Sequence, residues 1–305
     1  MTRSVAVIDV GTNSTNLLIV NANGDIVLRH QATTRLGEEL HATGLLSPTA
    51  IERTVATIIT HVATAHEHNI EHITITGTAA CRRASNTQQF IDAVVAATSL
   101  TVEVLSEKDE ASLAFAGAIS GLPELLAPTL VVDIGGGSTE YTVGVLEAEM
   151  SASIPFGAVT STASHLSRDL APPEDLTNLI GAVADELEEI GRDIPAIATP
   201  ARVIGVAGTI VTIAMVELGL NEFDNHALHG FELTRDAAED VFRTLATETF
   251  DERILNPGLS RDRADIIVAG CCILVSTMRR LKLDSILVST RSLMDGVAQR
   301  ERLKG

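Results

Sequence analysis

Residues 5–8 form an unbroken apolar run, Val-Ala-Val-Ile, that ends on Asp9, and this reads as a strand closed by a carboxylate. A short polar stretch, Gly11-Thr12-Asn13-Ser14, separates it from a second apolar run at 16–20. Asn23-Gly24, a type I′ hairpin signal, separates that run from a third strand at 26–32. The chain therefore opens as a three-stranded meander. The same layout returns in the second half: residues 129–132 are apolar, Asp133 follows, then Ile134-Gly135-Gly136-Gly137-Ser138-Thr139-Glu140, then strands at 141–146 and 148–155. Asp9 and Asp133 lie 124 positions apart in a chain of 305 residues. An internal duplication, with one meander in each of two domains, is the most economical account.

Between and after the meanders the two periods alternate. Ser47 followed by Pro48 marks a helix start, and Ile51, Val55, Ile58, Ile59, Val62 and Ala65 recur behind it at helical spacing. Residues 72–76 and 101–105 read as strands. Asn86 reads as the cap of a helix carrying Phe90, Ile91, Val94 and Val95, and 108–119 as a further helix. The second half repeats the plan, with helices near 158–166 and 174–190, a strand at 202–206, a helix from Thr209, helices near 235–246 and 264–281, a strand at 285–288 and a terminal helix from Leu293. The pattern predicts an α/β protein of two duplicated domains, each a five-stranded mixed sheet with helices, facing one another across a cleft. Gly121, Pro123 and Pro128 break structure between them, so the expected domains are 1–125 and 126–305.

Composition narrows the class. Hydrophobic residues make up 45% and charged residues 20%, which suits packed domains and not a disordered chain. No apolar run approaches the roughly 18 residues of a membrane span, and the first residues enter a strand pattern with no signal-peptide layout, so a cytoplasmic protein is expected. The net charge of −18 argues against nucleic acid, whose binding draws on a basic face, and against anionic membrane surfaces. Three cysteines, Cys81, Cys271 and Cys272, do not make a disulfide framework, and the adjacent pair sits in an apolar helical run as core residues.

Chemistry concentrates in four polar loops that follow strands: 9–14, 77–83, 133–140 and Gly205-Val206-Ala207-Gly208-Thr209. Ligands of α/β sheets bind at the carboxyl ends of strands. Glycines let backbone amides approach a phosphate, although three in a row also suit a tight hairpin alone. Asp133 and Glu140 repel a phosphate directly and so imply a hard cation beside it. Gly208-Thr209 opens a helix, whose amides favour an anion. Gly11, Thr12, Asn13 and Ser14, Gly135, Gly136, Gly137 and Ser138, and Gly208 and Thr209 are thus the candidate phosphate-binding residues. Asp133, Glu140 and Asp9 are the candidate metal ligands, with Asp9 equally suited to holding its turn by capping amides. His61, His66, His68 and His72 span a helix end and a strand, and read as surface residues rather than one metal site.

The motifs Asp9-Val-Gly-Thr-Asn-Ser14, Asp133-Ile-Gly-Gly-Gly-Ser-Thr-Glu140 and Gly205-Val-Ala-Gly-Thr209 resemble those of the exopolyphosphatase/guanosine pentaphosphate phosphatase family, of the actin/hexokinase/Hsp70 superfold. Arg35-Leu-Gly37, Thr78-Ala-Ala-Cys-Arg82, Leu105-Ser106 through Asp109-Glu110-Ala111, Arg263-Ala-Asp265 and residues 289–296 extend the resemblance nearly end to end, in a short two-domain form. The resemblance implies two actin-like (ribonuclease H-like) domains, with a final helix at about 292–305 that crosses back to the first. It implies hydrolysis of a terminal phosphoanhydride with Mg²⁺ or another divalent cation such as Mn²⁺. Glu110 would position and deprotonate the water, and Arg82 would clamp phosphate oxygens. The substrate would be inorganic polyphosphate or a phosphorylated nucleotide, with exopolyphosphatase activity preferred over guanosine pentaphosphate hydrolysis; the net charge of −18 adds the expectation of short chains, since a long polyanion gains no extended basic track. A homodimer is a family-level expectation, and His229 is a candidate lining residue.

Three departures stand out. Glu107 replaces a glycine before the acidic helix, where strain is expected, and Asp109 replaces its first glutamate. Thr160 stands where an arginine is common, which predicts one phosphate contact fewer. These departures motivate a rival reading as a non-catalytic polyphosphate or nucleotide sensor. A sugar kinase of the same superfold is a further rival, although nothing matches the cysteine-rich zinc loop that small bacterial kinases often carry.

Overall fold

The computed structural model describes residues 2–166 and 168–304. It divides into two compact units, Met1–Gly117 with Leu293–Gly305, and Ala118–Ser292. In the first unit the strands are β1 (Val5–Val10), β2 (Ser14–Val20), β3 (Ile26–Thr33), β4 (Ile73–Gly77) and β5 (Val102–Val104). The helices up to the boundary are α1 (Leu40–Thr43), α2 (Pro48–Glu67), α3 (Ala79–Arg83), α4 (Thr87–Thr98) and α5 (Glu107–Ile119). The second unit contains β6 (Thr129–Ile134), β7 (Thr139–Gly144), β8 (Ala148–Ile154), β9 (Arg202–Val206), β10 (Glu232–Thr234) and β11 (Ser285–Val288). Its helices are α6 (Ala158–His165), α7 (Pro173–Asp193), α8 (Ala207–Leu218), α9 (Asn225–Leu228), α10 (Arg235–Thr247), α11 (Phe250–Arg253) and α12 (Ile267–Arg280). The last helix, α13 (Leu293–Leu303), belongs to the first unit.

The first sheet runs β3-β2-β1-β4-β5, with an antiparallel meander joined to parallel crossovers. The second repeats that order as β8-β7-β6-β9-β11 and adds β10 antiparallel to β11. Its six strands correct the expected five. The three residues of β10 are too few to announce themselves by alternation.

Because β1 is apolar on both faces, it needs cover on both. Ala6, Ile8 and Val10 join Ile58 of α2 and Phe90 and Val94 of α4. Val5 and Val7 join Ala114 of α5 and Leu293, Met294, Val297 and Ala298 of α13. The terminal helix is thus half the cover of one sheet face. It is pinned there by Arg29–Asp295 at 2.6 Å and Arg300–Glu103 at 2.6 Å. The second unit buries α12 from Ile267 to Met278, including Cys271 and Cys272 as free core thiols; burial pushes the Cys272 thiol up to about 12.

Local signals have mixed outcomes. Ser47 caps α2 by accepting from the Ala50 amide at 3.3 Å. Asn86 precedes α4 without capping it, and its amide group instead ties down Leu46 through both backbone groups at 2.9 Å. The Asn23-Gly24 turn is longer than a two-residue hairpin: Val20 pairs with Ile26, and the Asn21 side chain accepts from the amides of Asn23, Gly24 and Asp25. Among the described residues no helix is long and apolar enough to cross a membrane.

Candidate active site

Each unit carries an Asp-x-Gly turn of the same construction. In the first, the Gly11 amide donates to the Ser14 carbonyl at 2.9 Å; in the second, Gly135 donates to Ser138 at 3.1 Å. The carbonyls of both turns are committed from behind. Thr12 O accepts from Gly37 N, and Asn13 O accepts from Thr34 N and Arg35 N, so the Arg35-Leu-Gly37 motif is a backing loop for the first turn. In the second turn, Gly135 O accepts from Ala158 N, Gly136 O from Val159 N and Thr160 N, and Gly137 O from the Thr160 hydroxyl at 3.2 Å. A trans peptide points its N–H opposite its C=O. The amides of Asn13 and Ser14 therefore point away from the 34–37 loop, and those of Gly136, Gly137 and Ser138 point away from α6. That is an amide cradle for an anion in each unit. Gly157 makes the α6 contact feasible, since a Cβ there would lie 2.5 Å from Gly136 and from the Ser138 nitrogen.

Thr160 now has a role that the sequence did not suggest. Its hydroxyl accepts from Gly157 N at 3.0 Å and donates to Gly137 O, so it caps α6 and braces the glycine turn. In the first turn Asn13 is nearly buried, and its Nδ2 finds no acceptor among the described residues. A buried donor left unmade costs about 1–3 kcal/mol, and a phosphate oxygen would satisfy it.

The strand register sets the acids. Asp133 pairs with Glu140 across β6 and β7, and Glu140 pairs with Ser153 on β8, whose hydroxyl donates to Glu140 Oε1 at 3.0 Å. At the duplicated positions, Asp9 pairs with Asn16. The second hairpin thus opposes two carboxylates, while the first opposes a carboxylate and an amide. Asp9 accepts from the Thr76 hydroxyl at 3.2 Å; among the described residues no amide caps it, and the backbone bond from Gly11 to Ser14 closes the turn. Burial, then the charge of Glu110, push the Asp9 carboxyl up to about 7. Among the described residues no three or more His, Cys, Asp or Glu form a metal-holding group. His61 is instead buried, its Nε2 3.2 Å from Thr15 O and its ring edge-on to His30.

Glu110 sits in the first turn of α5. Ser106 caps this helix, accepting from Asp109 N at 3.1 Å and donating to the Asp109 carboxylate at 2.7 Å. Asp109 thus holds the capping hydroxyl itself. Glu107 is the first helical residue and is not among the residues at positive φ, so the strain expected there is absent. Arg82, on α3, uses one nitrogen, Nη1, for a tight ion pair with Glu110 and for Leu105 O at 3.2 Å. The two residues expected to share the chemistry are therefore direct partners. Burial lifts Glu110 above the usual carboxylate range; Arg82 opposes that rise and Glu107 adds to it.

The fourth loop holds a residue whose importance spacing alone did not show. Ala207 adopts φ +68, a conformation costing a non-glycine residue about 1–2 kcal/mol. It leads into Gly208 and Thr209 at the start of α8. Over Gly208 lies the Arg263 guanidinium, so close that a Cβ on Gly208 would be 2.1 Å from Nη2. Burial lowers the Arg263 pKa to about 10. The sequence flagged Arg263 only as part of a motif, because nothing local connects it to a loop more than fifty residues earlier. His229 lies beside Thr290, whose hydroxyl is 3.3 Å from its Nδ1.

A model of the Ppx/GppA phosphatase family matches residues 18–304. The chain is 31% identical over 310 residues to Exopolyphosphatase 2 of Mycobacterium tuberculosis (strain ATCC 25618 / H37Rv), which spans 96% of this chain and 97% of that relative. It is 26% identical over 306 residues to guanosine-5'-triphosphate,3'-diphosphate pyrophosphatase of Vibrio atlanticus, spanning 96% of this chain and 58% of that one. An exopolyphosphatase structure from Cytophaga hutchinsonii superposes with a TM-score of 0.90 at 26% identity, covering 99% of this chain and 98% of the other. With its duplicated Asp-x-Gly turns and a family match over nearly its whole length, the chain belongs to the Ppx/GppA phosphatase family.

Proposed function

We propose that the chain is an exopolyphosphatase that hydrolyses the terminal phosphoanhydride of short inorganic polyphosphate and releases orthophosphate. The observation that carries this is the pair of Asp-x-Gly turns whose carbonyls are held from behind, so that their amides face the other way. Arg263 adds to it. A desolvated guanidinium over the positive end of a helix is unfavourable by itself, and a bound phosphate relieves both charges.

Phosphoryl transfer asks the protein chiefly for positioning and charge neutralisation. Glu110, with its raised proton affinity, takes the proton of the attacking water. The water oxygen bonds to the terminal phosphorus as the bond to the bridging oxygen breaks. The electron pair leaves with the shortened chain. Arg82 holds Glu110 through Nη1, and its guanidinium would clamp a phosphate oxygen through its remaining donors. Asp133 and Glu140 are hard oxygen donors opposed across two strands, with Ser153 orienting Glu140. They suit Mg²⁺ or Mn²⁺, which when bound there would neutralise phosphate charge.

Phosphate release from tripolyphosphate and from guanosine pentaphosphate, with Mg²⁺ and after chelation, tests the proposal. Turnover of tripolyphosphate that stops with EDTA and returns with Mg²⁺ is expected. Release confined to the nucleotide favours the guanosine pentaphosphate reading, in line with the name of the Vibrio relative. Release from neither substrate overturns the hydrolase reading.

A further inference from the structure

Asp133 on β6 pairs with Val206 on β9, and Val288, the last residue of β11, pairs with Gly205. These parallel strands end side by side, at the edge where ligands of such sheets bind. Neighbouring strands lie about 5 Å apart, which puts the turn after β11 about 5 Å from the Gly208 loop and about 10 Å from the Asp133 turn. That turn, Ser289-Thr290-Arg291, is fixed from several sides. Ser289 is fully buried; its amide donates to Gly205 O at 2.8 Å, and its hydroxyl donates to Arg291 O at 3.1 Å and accepts from Arg291 N at 3.2 Å. The Thr290 hydroxyl donates to Asn225 Oδ1 at 2.6 Å.

The Arg291 side chain is less committed. Among the described residues its one hydrogen bond runs from Nη1 to Ser120 Oγ at 3.4 Å. Arg29, Arg53, Arg82 and Arg300 each meet a carboxylate, whereas among the described residues Arg291 forms no ion pair. Its guanidinium lies over Gly121, where a Cβ would be 3.0 Å from Cζ and 3.2 Å from His229 Nε2. The Thr290 amide donates to His229 Nδ1 at 3.4 Å, so the neutral ring carries its proton on Nε2 and turns a donor toward Arg291. Asp224, the acid of that segment, turns Oδ1 to the amides of His226 and Ala227. The duplicated turn of the first unit makes the same backbone bond, Leu105 N to Gly77 O at 3.0 Å. By that equivalence Glu107 stands in the first unit where Arg291 stands in the second.

We propose that Arg291 forms a second phosphate subsite, which binds a phosphate group of the substrate other than the one that is hydrolysed. A half-buried fork of N–H donors without a carboxylate suits the oxygens of a phosphate. The duplication then divides the work of one turn: the first unit sets acids there, leading to Glu110, and the second sets a cation. Because Arg291 is remote from the reacting phosphorus, its contact serves the ground state and the transition state alike. Its loss therefore raises KM more than it lowers kcat. Identifying the anion as a substrate phosphate rests on the hydrolase reading; the binding of an anion does not.

Calorimetric titration of the full chain carrying Glu110→Gln, in Mg²⁺, with tripolyphosphate and with orthophosphate tests the subsite apart from turnover. A single phosphate does not occupy the Asp133 turn and a subsite about 10 Å away together. Adding Arg291→Gln is expected to weaken tripolyphosphate about tenfold or more, as the loss of a charge-assisted contact does, and to leave orthophosphate unchanged. Arg291→Lys should recover part of the loss, and in the active chain Arg291→Gln should raise KM for tripolyphosphate more than it lowers kcat. Equal tripolyphosphate affinity with and without Arg291 overturns the subsite, as does absence of tripolyphosphate binding. So does an equal loss for orthophosphate, which marks a merely structural role. Binding that depends on Arg291, with no orthophosphate released by the active chain, would sink the hydrolase reading and leave the subsite standing.

Discussion

Glu110 carries two opposing neighbours, and they give its assignment a signature in pH. Arg82 lowers its proton affinity, while burial and Glu107 raise it. A base must be unprotonated to act, so the acid limb of kcat/KM lies above the usual carboxylate range. Removing the cation raises the Glu110 pKa further, and removing Glu107 lowers it. Arg82→Ala is therefore expected to move the acid limb to higher pH and Glu107→Gln to lower pH, measured as kcat/KM on tripolyphosphate between pH 4 and 8. Arg82→Ala also loses a charge-assisted phosphate contact, roughly a 10- to 100-fold fall in kcat/KM. Limbs that move together, or not at all, contradict the role given to Glu110. At this scale the sequence named Glu110, Arg82 and the acid pair, because each stands in a contiguous motif. It did not show that Arg82 and Glu110 are partners, nor that Arg263 reaches Gly208, because such contacts join distant parts of the chain. Nor did it show that the Thr160 hydroxyl braces the turn beside it.

Strands and helices were well marked where an apolar period ran long enough. β1, β2, β6 and β9, and helices α2, α7 and α12, lie where the pattern puts them. Short pieces such as β10, α3 and α11 were not legible, since each holds no more than about a period and a half of its own structure. The packing meaning of the C-terminal motif was also hidden. Asp295 pairs with Arg29, and Gly296 lets α13 approach α5 so closely that a Cβ would lie 1.9 Å from the Leu113 carbonyl oxygen. Met294-Asp295-Gly296 is thus a docking element within the first unit. Gly296→Ala is expected to cost about 3 kcal/mol and lower Tm by on the order of 5–10 °C, read by calorimetry. An unchanged Tm would mean that α13 does not pack as described.

For the whole molecule, charge and duplication decide the most. Two units repeat one strand order and one turn, and they differ at the paired position after the turn, Asn16 in one and Glu140 in the other. The duplication concentrates candidate cation ligands in the second unit and the candidate base in the first. A net charge of −18 argues against an extended basic track along which a long polyanion gains contacts. Turnover at fixed ionic strength is accordingly expected to favour chains of a few phosphates; rates that climb steadily into hundreds of phosphates would contradict this. The central claim, that Glu110 drives hydrolysis of a phosphoanhydride, is tested most directly by orthophosphate release from tripolyphosphate in Mg²⁺ by Glu110→Gln beside wild type. The account predicts a fall of roughly 100- to 10,000-fold in kcat with the variant still folded; release at the wild-type rate would contradict it.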